Sequence, residues 1–158
     1  MSSSTAILIA FGIGIVAGLR AMTAPAVVAW AAHLGVLHLG GTHFAFMGSV
    51  WAVGIFTLAA LGEFVADRLP SAPPRTAAVG LSARIVTGAL CGACVGVSTG
   101  VSIGLTAAAG IIGGIAGAFG GYHARVGLVR GLKVRDAAIG IPEDLIAIGL
   151  GVLLITRL

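Results

Sequence analysis

The run "GIVAGLRAMTAPAVVAWAA", Gly14 to Ala32, holds one full charge, Arg20, among apolar and small residues. Nineteen residues with uncharged side chains precede that arginine, and forty-two, Ala21 to Gly62, follow before the next Asp, Glu, Lys or Arg. A guanidinium in such a tract is out of place in a water-soluble domain and costly in a bilayer, so its surroundings decide the fold. Across all 158 residues, 58% are hydrophobic and 9% charged, with a mean hydropathy of +1.13. Soluble domains carry about 25% charged residues, because their surface has to meet water. This composition points to an all-α, polytopic integral membrane protein. A span needs roughly 20 apolar residues, so the length suits about five passes in a single domain, residues 1–158.

Four apolar tracts can be drawn. The first, Thr5 to Leu39, is too long for one straight helix and too short for two full spans with a loop. The second is Phe46 to Ala66. The third, Ala77 to Val129, holds two helices with a turn near "VSTGVS", Val97 to Ser102. The fourth, Ile141 to Thr156, has 16 residues and would reach about 24 Å if helical, short of a ~30 Å hydrocarbon core. The N-terminal "MSSSTAILIAFGIGIVAGL" lacks a basic leader and reads as the start of the first helix rather than a cleaved signal.

The net charge of +4 belongs to short connections, not to a basic face with interleaved aromatics, so no nucleic-acid partner is expected. Arg68, Arg75 and Arg84 fall in one connection, and Arg125, Arg130, Lys133 and Arg135 in another, while "HLGVLHLGGTHF" has neither Lys nor Arg. The positive-inside rule places Asp67–Arg84 and Arg125–Ile141 in the cytoplasm, with the N-terminus inside and the C-terminus outside. The expected location is the inner (plasma) membrane, multi-pass.

Gly88, Gly92, Gly96, Gly100 and Gly104 recur every four residues, as do Gly110 and Gly114, and Gly113, Gly117 and Gly121. Small residues at that interval let membrane helices approach closely. The pattern is silent on whether the neighbour lies in this chain or in a second copy. So many small faces on so short a chain lead to the expectation of a homodimer or higher homo-oligomer.

Charges inside a bilayer cost from ~2.5 to more than 10 kcal/mol and are normally paired or face a wet cavity. Arg20 therefore needs an acid, and the chain has five: Glu63, Asp67, Asp136, Glu143 and Asp144. Glu63 and Asp67 are four apart and share a helix face; Glu63, the deeper, is the expected partner of Arg20. Gly18 and Pro25 favour an opening of the first helix around the arginine. Glu143 and Asp144 follow Pro142, which suits a first helical turn and would put both acids at the positive dipole end. In "GGYHARVGL", Gly120 and Gly121 would loosen a helix just before His123 and Arg125, and His123 has the chemistry of a proton carrier. The runs "GIGIVAGLRAM" and "GGIAGAFGGYHAR" are alike enough to suggest a weak internal repeat with broken helices.

Other motifs are blander. Cys91 and Cys94 have CxxC spacing inside an apolar helix without further ligands, so they read as packing residues. His33, His38 and His43 are five apart, which is not a helical ligand spacing. No metal, cofactor, nucleophile–base pair or phosphate loop is expected.

The segments "GLRAMTAP", "GEFVADRLP", "ARIVTGALCGA", "GGYHARVGL" and "PEDLIAIG" occur in an order that resembles an uncharacterised bacterial family of small polytopic membrane proteins, catalogued as a domain of unknown function. The residues that carry the resemblance are Gly18, Arg20, Pro25, Glu63, Asp67, Pro70, His123, Glu143 and Asp144. The chain departs from the family pattern at "SAPPRT" after Pro70, where an acid is expected, and at "HAR", where a Lys is common. The resemblance implies a membrane location and a charged cluster, and it supplies no activity.

The functional expectation is a small transporter or flippase-like permease. Its solute site would be built from Arg20, Thr23, Glu63, Asp67, His123, Arg125, Glu143 and Asp144. Arg20 would meet an anionic group and the acids would carry coupling protons. The partners are then the lipid bilayer and a small molecule, ion or lipid. The competing readings are a lipid-modifying membrane enzyme using His123 with an acid, and a non-catalytic oligomeric scaffold.

Overall fold

The structure is a computed structural model that describes residues 2–67, 77–132 and 136–158, with side chains outside 132–139. The described residues are all-helical: α1 (Ser3–Leu19), α2 (Thr23–His33), a 3-10 turn (Ala45–Gly48), α3 (Val50–Ala66), α4 (Ala78–Thr99), α5 (Ile103–Leu132) and α6 (Asp136–Ile155). Two helices among them are long and apolar enough to cross a membrane, Ala78–Thr99 and Ile103–Gly131, and two more, Ser3–Leu19 and Val50–Ala66, are apolar but shorter.

The long first tract is two helices, and the break falls on the arginine. Ser2 caps α1 by accepting from the Thr5 amide at 3.2 Å. At the other end Arg20 leaves the helix in an extended conformation, its amide still bonded to the Val16 carbonyl. The chain re-enters a helix at Thr23, with Pro25 in the first turn, where a missing N–H does no harm.

Side-chain neighbours fix the directions. α1 lies parallel to α5: Gly14 faces Gly110, and Gly18 faces Gly114 to Ala118. α4 runs the other way against α5, with Gly88 on Gly110, Gly92 on Thr106 and Gly96 on Ile103. α6 is antiparallel to α1, with Leu154 at Gly12 and Gly151 at Val16. Gly151 also meets Val27, so α2 turns back alongside α1. α3 is antiparallel to α2, the Trp30 indole N–H donating to Thr57 Oγ1 at 3.1 Å. α1 and α2 thus form a helical hairpin whose tip is residues 20–22. The sequence suggested one broken pass with the termini at opposite ends. The hairpin adds a reversal, so both termini lie at the end opposite its tip.

The core sits between α1, α4 and α5, and glycine makes it possible. A Cβ at Gly14, Gly18, Gly88, Gly92, Gly110, Gly113 or Gly117 would come within 3.0 Å of backbone on the facing helix. At these seven positions the stripes that left open a partner in a second copy are therefore used within the chain, while a Cβ at Gly100 or Gly104 would meet no other helix among the described residues. The runs "GIGIVAGLRAM" and "GGIAGAFGGYHAR" belong to α1 and α5, which pack on each other. α5 continues unbroken through Gly120 and Gly121, so the expected loosening there is absent. α4 stops at Gly100, whose φ of 69° suits a residue without Cβ.

Segment 34–49 closes the end that carries the termini. Leu37, Leu39 and Met47 are buried, the His38 amide donates to Ser98 Oγ at 3.1 Å, and His33 Nδ1 lies 2.9 Å from the Gly48 carbonyl. α3 packs against α2 and the 3-10 turn and presents Trp51, Ile55, Leu58 and Val65 outward.

Candidate functional site: a charged layer at the hairpin tip

Every helix but α2 brings an ionisable side chain to the level of the tip, and α2 brings its N-terminus. Arg20 is 1% exposed although it is the largest side chain in the core. Its Nη1 donates to the Asp67 carboxylate at the C-terminal end of α3. Its Nη2 lies 2.5 Å from Asp144 Oδ1 on α6. The Phe64 ring lies 5.5 Å from the guanidinium carbon, a cation–π distance.

Glu63, the acid expected to neutralise Arg20, does something else. Its two carboxylate oxygens accept from the Ala21 and Met22 amides, each at 2.9 Å. Breaking a helix frees amides that need acceptors, and Met22, the cap residue of α2, gives no side-chain cap of its own. Glu63 supplies that cap from a neighbouring helix, and the positive end of α2 favours its charge. The correction has a simple cause. Arg20 is reached by the acid one turn further along α3, because the tip presents backbone to Glu63 and guanidinium to Asp67.

Arg84, read from the sequence as part of a basic connection, is buried in the second turn of α4. Its Nε donates to the Gly18 carbonyl at 3.0 Å and its Nη1 to the Gly80 carbonyl at 2.8 Å. Its Nη2 lies 3.9 Å from Glu63. The side chain thus fills the last carbonyl-rich turn of α1 and backs Glu63. The missed signal is its position: seven uncharged residues, Ala77 to Ala83, precede it in the third apolar tract.

Arg125 of α5 pairs with Glu143 of α6 at 3.5 Å. Glu143 and Asp144 are consecutive, so α6 gives one acid to α5 and the next to Arg20. They are not in a first turn, as Pro142 had suggested. α6 begins at Asp136, and Pro142 lies inside it. The helix has 20 residues, about 30 Å, rather than the expected 16. Thr23 is 2% exposed beside the tip, and among the described residues its Oγ1 has no hydrogen-bond partner; neither has Arg20 Nε.

His123 is the candidate that does not join the layer. It is exposed, its Nδ1 lies 2.7 Å from the Phe119 carbonyl one turn back, and its ring packs edge-on against Tyr122. Among the described residues no three His, Cys, Asp or Glu side chains are grouped as a metal ion requires. Cys91 and Cys94 are buried, unoxidised core residues. Pro70 lies outside the described residues.

The class these features define is an all-helical protein with a glycine-packed core and a buried charge layer at a helix break. Residues 7–156 match the model of a family described as a domain of unknown function (DUF4126), and the chain belongs to that family. No curated protein and no solved structure matches the chain.

Proposed function

We propose that the chain is a small multi-pass permease of the inner (plasma) membrane and that the layer at the hairpin tip is its solute site. The observation that carries the reading is the fully buried Arg20 at a helix break, held by carboxylates from two other helices. Buried ionisable groups at discontinuous helices mark solute and ion paths in membrane proteins. α4, α5 and α6 run about 9–12 Å beyond the level of Arg84, Arg125 and Asp144, whereas α1, α2 and α3 end there. The tip thus sits inside the bundle's outline; in this reading α1, α3, α4, α5 and α6 are the five passes and α2 is a shorter return. The lipid-enzyme alternative is weaker because His123 stands apart from the acids.

Positive-inside bias puts the tip on the cytoplasmic side and both termini outside. Maleimide applied from outside should then label single cysteines placed at Ser4 and Gly41 and spare one at Ala72. Labelling at Ala72 alone would reverse the orientation.

The function itself is tested in proteoliposomes loaded with a pH-indicator dye and offered small carboxylates, inorganic phosphate and amines in turn. The expected result is solute-dependent flux above protein-free vesicles, abolished in Asp144→Asn and in Arg20→Gln. Folded protein that gives no flux with any of them removes the permease reading. If native membranes then yield a stable cross-linked oligomer, the scaffold reading replaces it. The outward face of α3 is the surface proposed for a second copy, since the glycines of α1, α4 and α5 from Gly14 to Gly18, Gly88 to Gly92 and Gly110 to Gly117 already pack within the chain.

A further inference from the structure

Among the described residues, two buried donors at the tip lack an acceptor: Arg20 Nε–H and the Thr23 hydroxyl. Both belong to residues at most 2% exposed. An Nε–H can only donate, and leaving such a donor unmet in a buried site is costly. A group that satisfies it must bring acceptor atoms. The tip already selects for carboxylates: Asp67 and Asp144 engage the guanidinium, and Glu63 sits on the amides of residues 21 and 22. The positive end of α2 points the same way.

The three acids are not equally fixed. Asp144 lies within α6 with its side chain 8% exposed, and Glu63 lies within α3 with both oxygens on backbone. Asp67 is the residue after the last turn of α3, and its side chain is 24% exposed. It is the acid that can leave Arg20 without unwinding a helix.

We propose that the hairpin tip binds a small oxyanion, with carboxylate or phosphate oxygens accepting from Arg20 and Thr23. The anion also takes Arg20 Nη1, which Asp67 holds in its absence, so Asp67 is the tethered competitor for that part of the guanidinium. The proposal names the solute class of the permease suggested above and rests on that reading for its purpose, but its test needs no transport. A tethered carboxylate lowers the fraction of open sites, so removing it tightens the apparent affinity in proportion.

The experiment uses the full chain in detergent, with succinate and inorganic phosphate as probes and chloride at matched ionic strength as control. Thermal unfolding and calorimetric titration give the apparent Kd. Asp67→Ala should bind at least one probe about tenfold or more tighter than the unsubstituted chain. Asp67→Asn, which keeps the side-chain shape, covers the case in which the alanine variant does not fold. Thr23→Val should weaken that binding severalfold while leaving the ligand-free unfolding temperature unchanged or higher, since a purely structural hydroxyl without a partner adds nothing. The proposal is overturned by any of three results: both Asp67 variants bind no tighter than the parent, chloride acts as well as the oxyanions, or Thr23→Val binds normally. Binding in detergent without flux in vesicles leaves the anion site standing and removes the permease reading. Flux of other solutes without anion binding does the reverse.

Discussion

Arg20→Ala is expected to destabilise the protein by about 3–5 kcal/mol, because it strands two carboxylates that the arginine now compensates. Asp67 and Asp144 come from different helices and reach the same guanidinium. Without it they face each other across a buried site, and α6 loses its charged tie to the hairpin. Removing an acid together with the arginine should recover much of the loss. The double-mutant cycle is the measurement: Arg20→Ala combined with Asp144→Ala, read by reversible unfolding in mixed micelles. Arg20→Ala combined with Glu63→Ala should show a smaller coupling. Glu63 serves the Ala21 and Met22 amides, and its loss adds a separate cost of about 1–3 kcal/mol for donors left unmet. A larger coupling to Glu63 than to Asp144 would contradict the pairing described here.

Much of this site was legible in the sequence, and the reasons for the rest are physical. Arg20 announced a helix break because no continuous apolar helix hides a guanidinium, and Gly18 and Pro25 bracketed the place. Asp67, Glu143 and Asp144 could be named because only five acids exist to share the work. Which acid meets which donor was not legible. Spacing of four places Glu63 and Asp67 on one face, yet it does not show which of them is level with a backbone amide. Arg84 was hidden by its neighbourhood: a Pro-rich connection just before α4 made a basic residue look like a loop charge. Pro142 misled in the opposite sense. A proline after a charged connection reads as a helix start, whereas α6 begins six residues earlier and carries the proline inside. The reversal between α1 and α2 was beyond sequence patterning because neither helix is long and the turn is three residues. Hydropathy alone sees one tract there.

The glycine stripes show the same division between what is encoded and what it is used for. A four-residue interval encodes close approach, and the structure decides against whom. Gly110 lies where α5 meets both α1 and α4: a Cβ there would run into the Gly88 carbonyl, and Gly14 closes on Gly110 from the other side. Neither obstacle is a flexible side-chain end, so relief requires the helices to separate. Gly110→Ala is therefore expected to destabilise by about 3 kcal/mol, the upper part of the range for overpacking, although alanine is the better helix former. Gly120→Ala and Gly127→Ala are the controls. Among the described residues nothing lies within 4 Å of a Cβ at either position, so each should be neutral or gain up to about 1 kcal/mol. The same logic applies to Gly92, whose added Cβ would meet the Thr106 carbonyl of the same chain. If the stripe were an interface between copies, Gly92→Leu would dissociate an oligomer and leave the monomer's unfolding untouched, and the loss would depend on protein concentration. With the stripe packed inside the chain, Gly92→Leu lowers the unfolding midpoint equally across a wide range of protein-to-detergent ratios. A midpoint that recovers as protein becomes more concentrated would return the stripe to the intermolecular role.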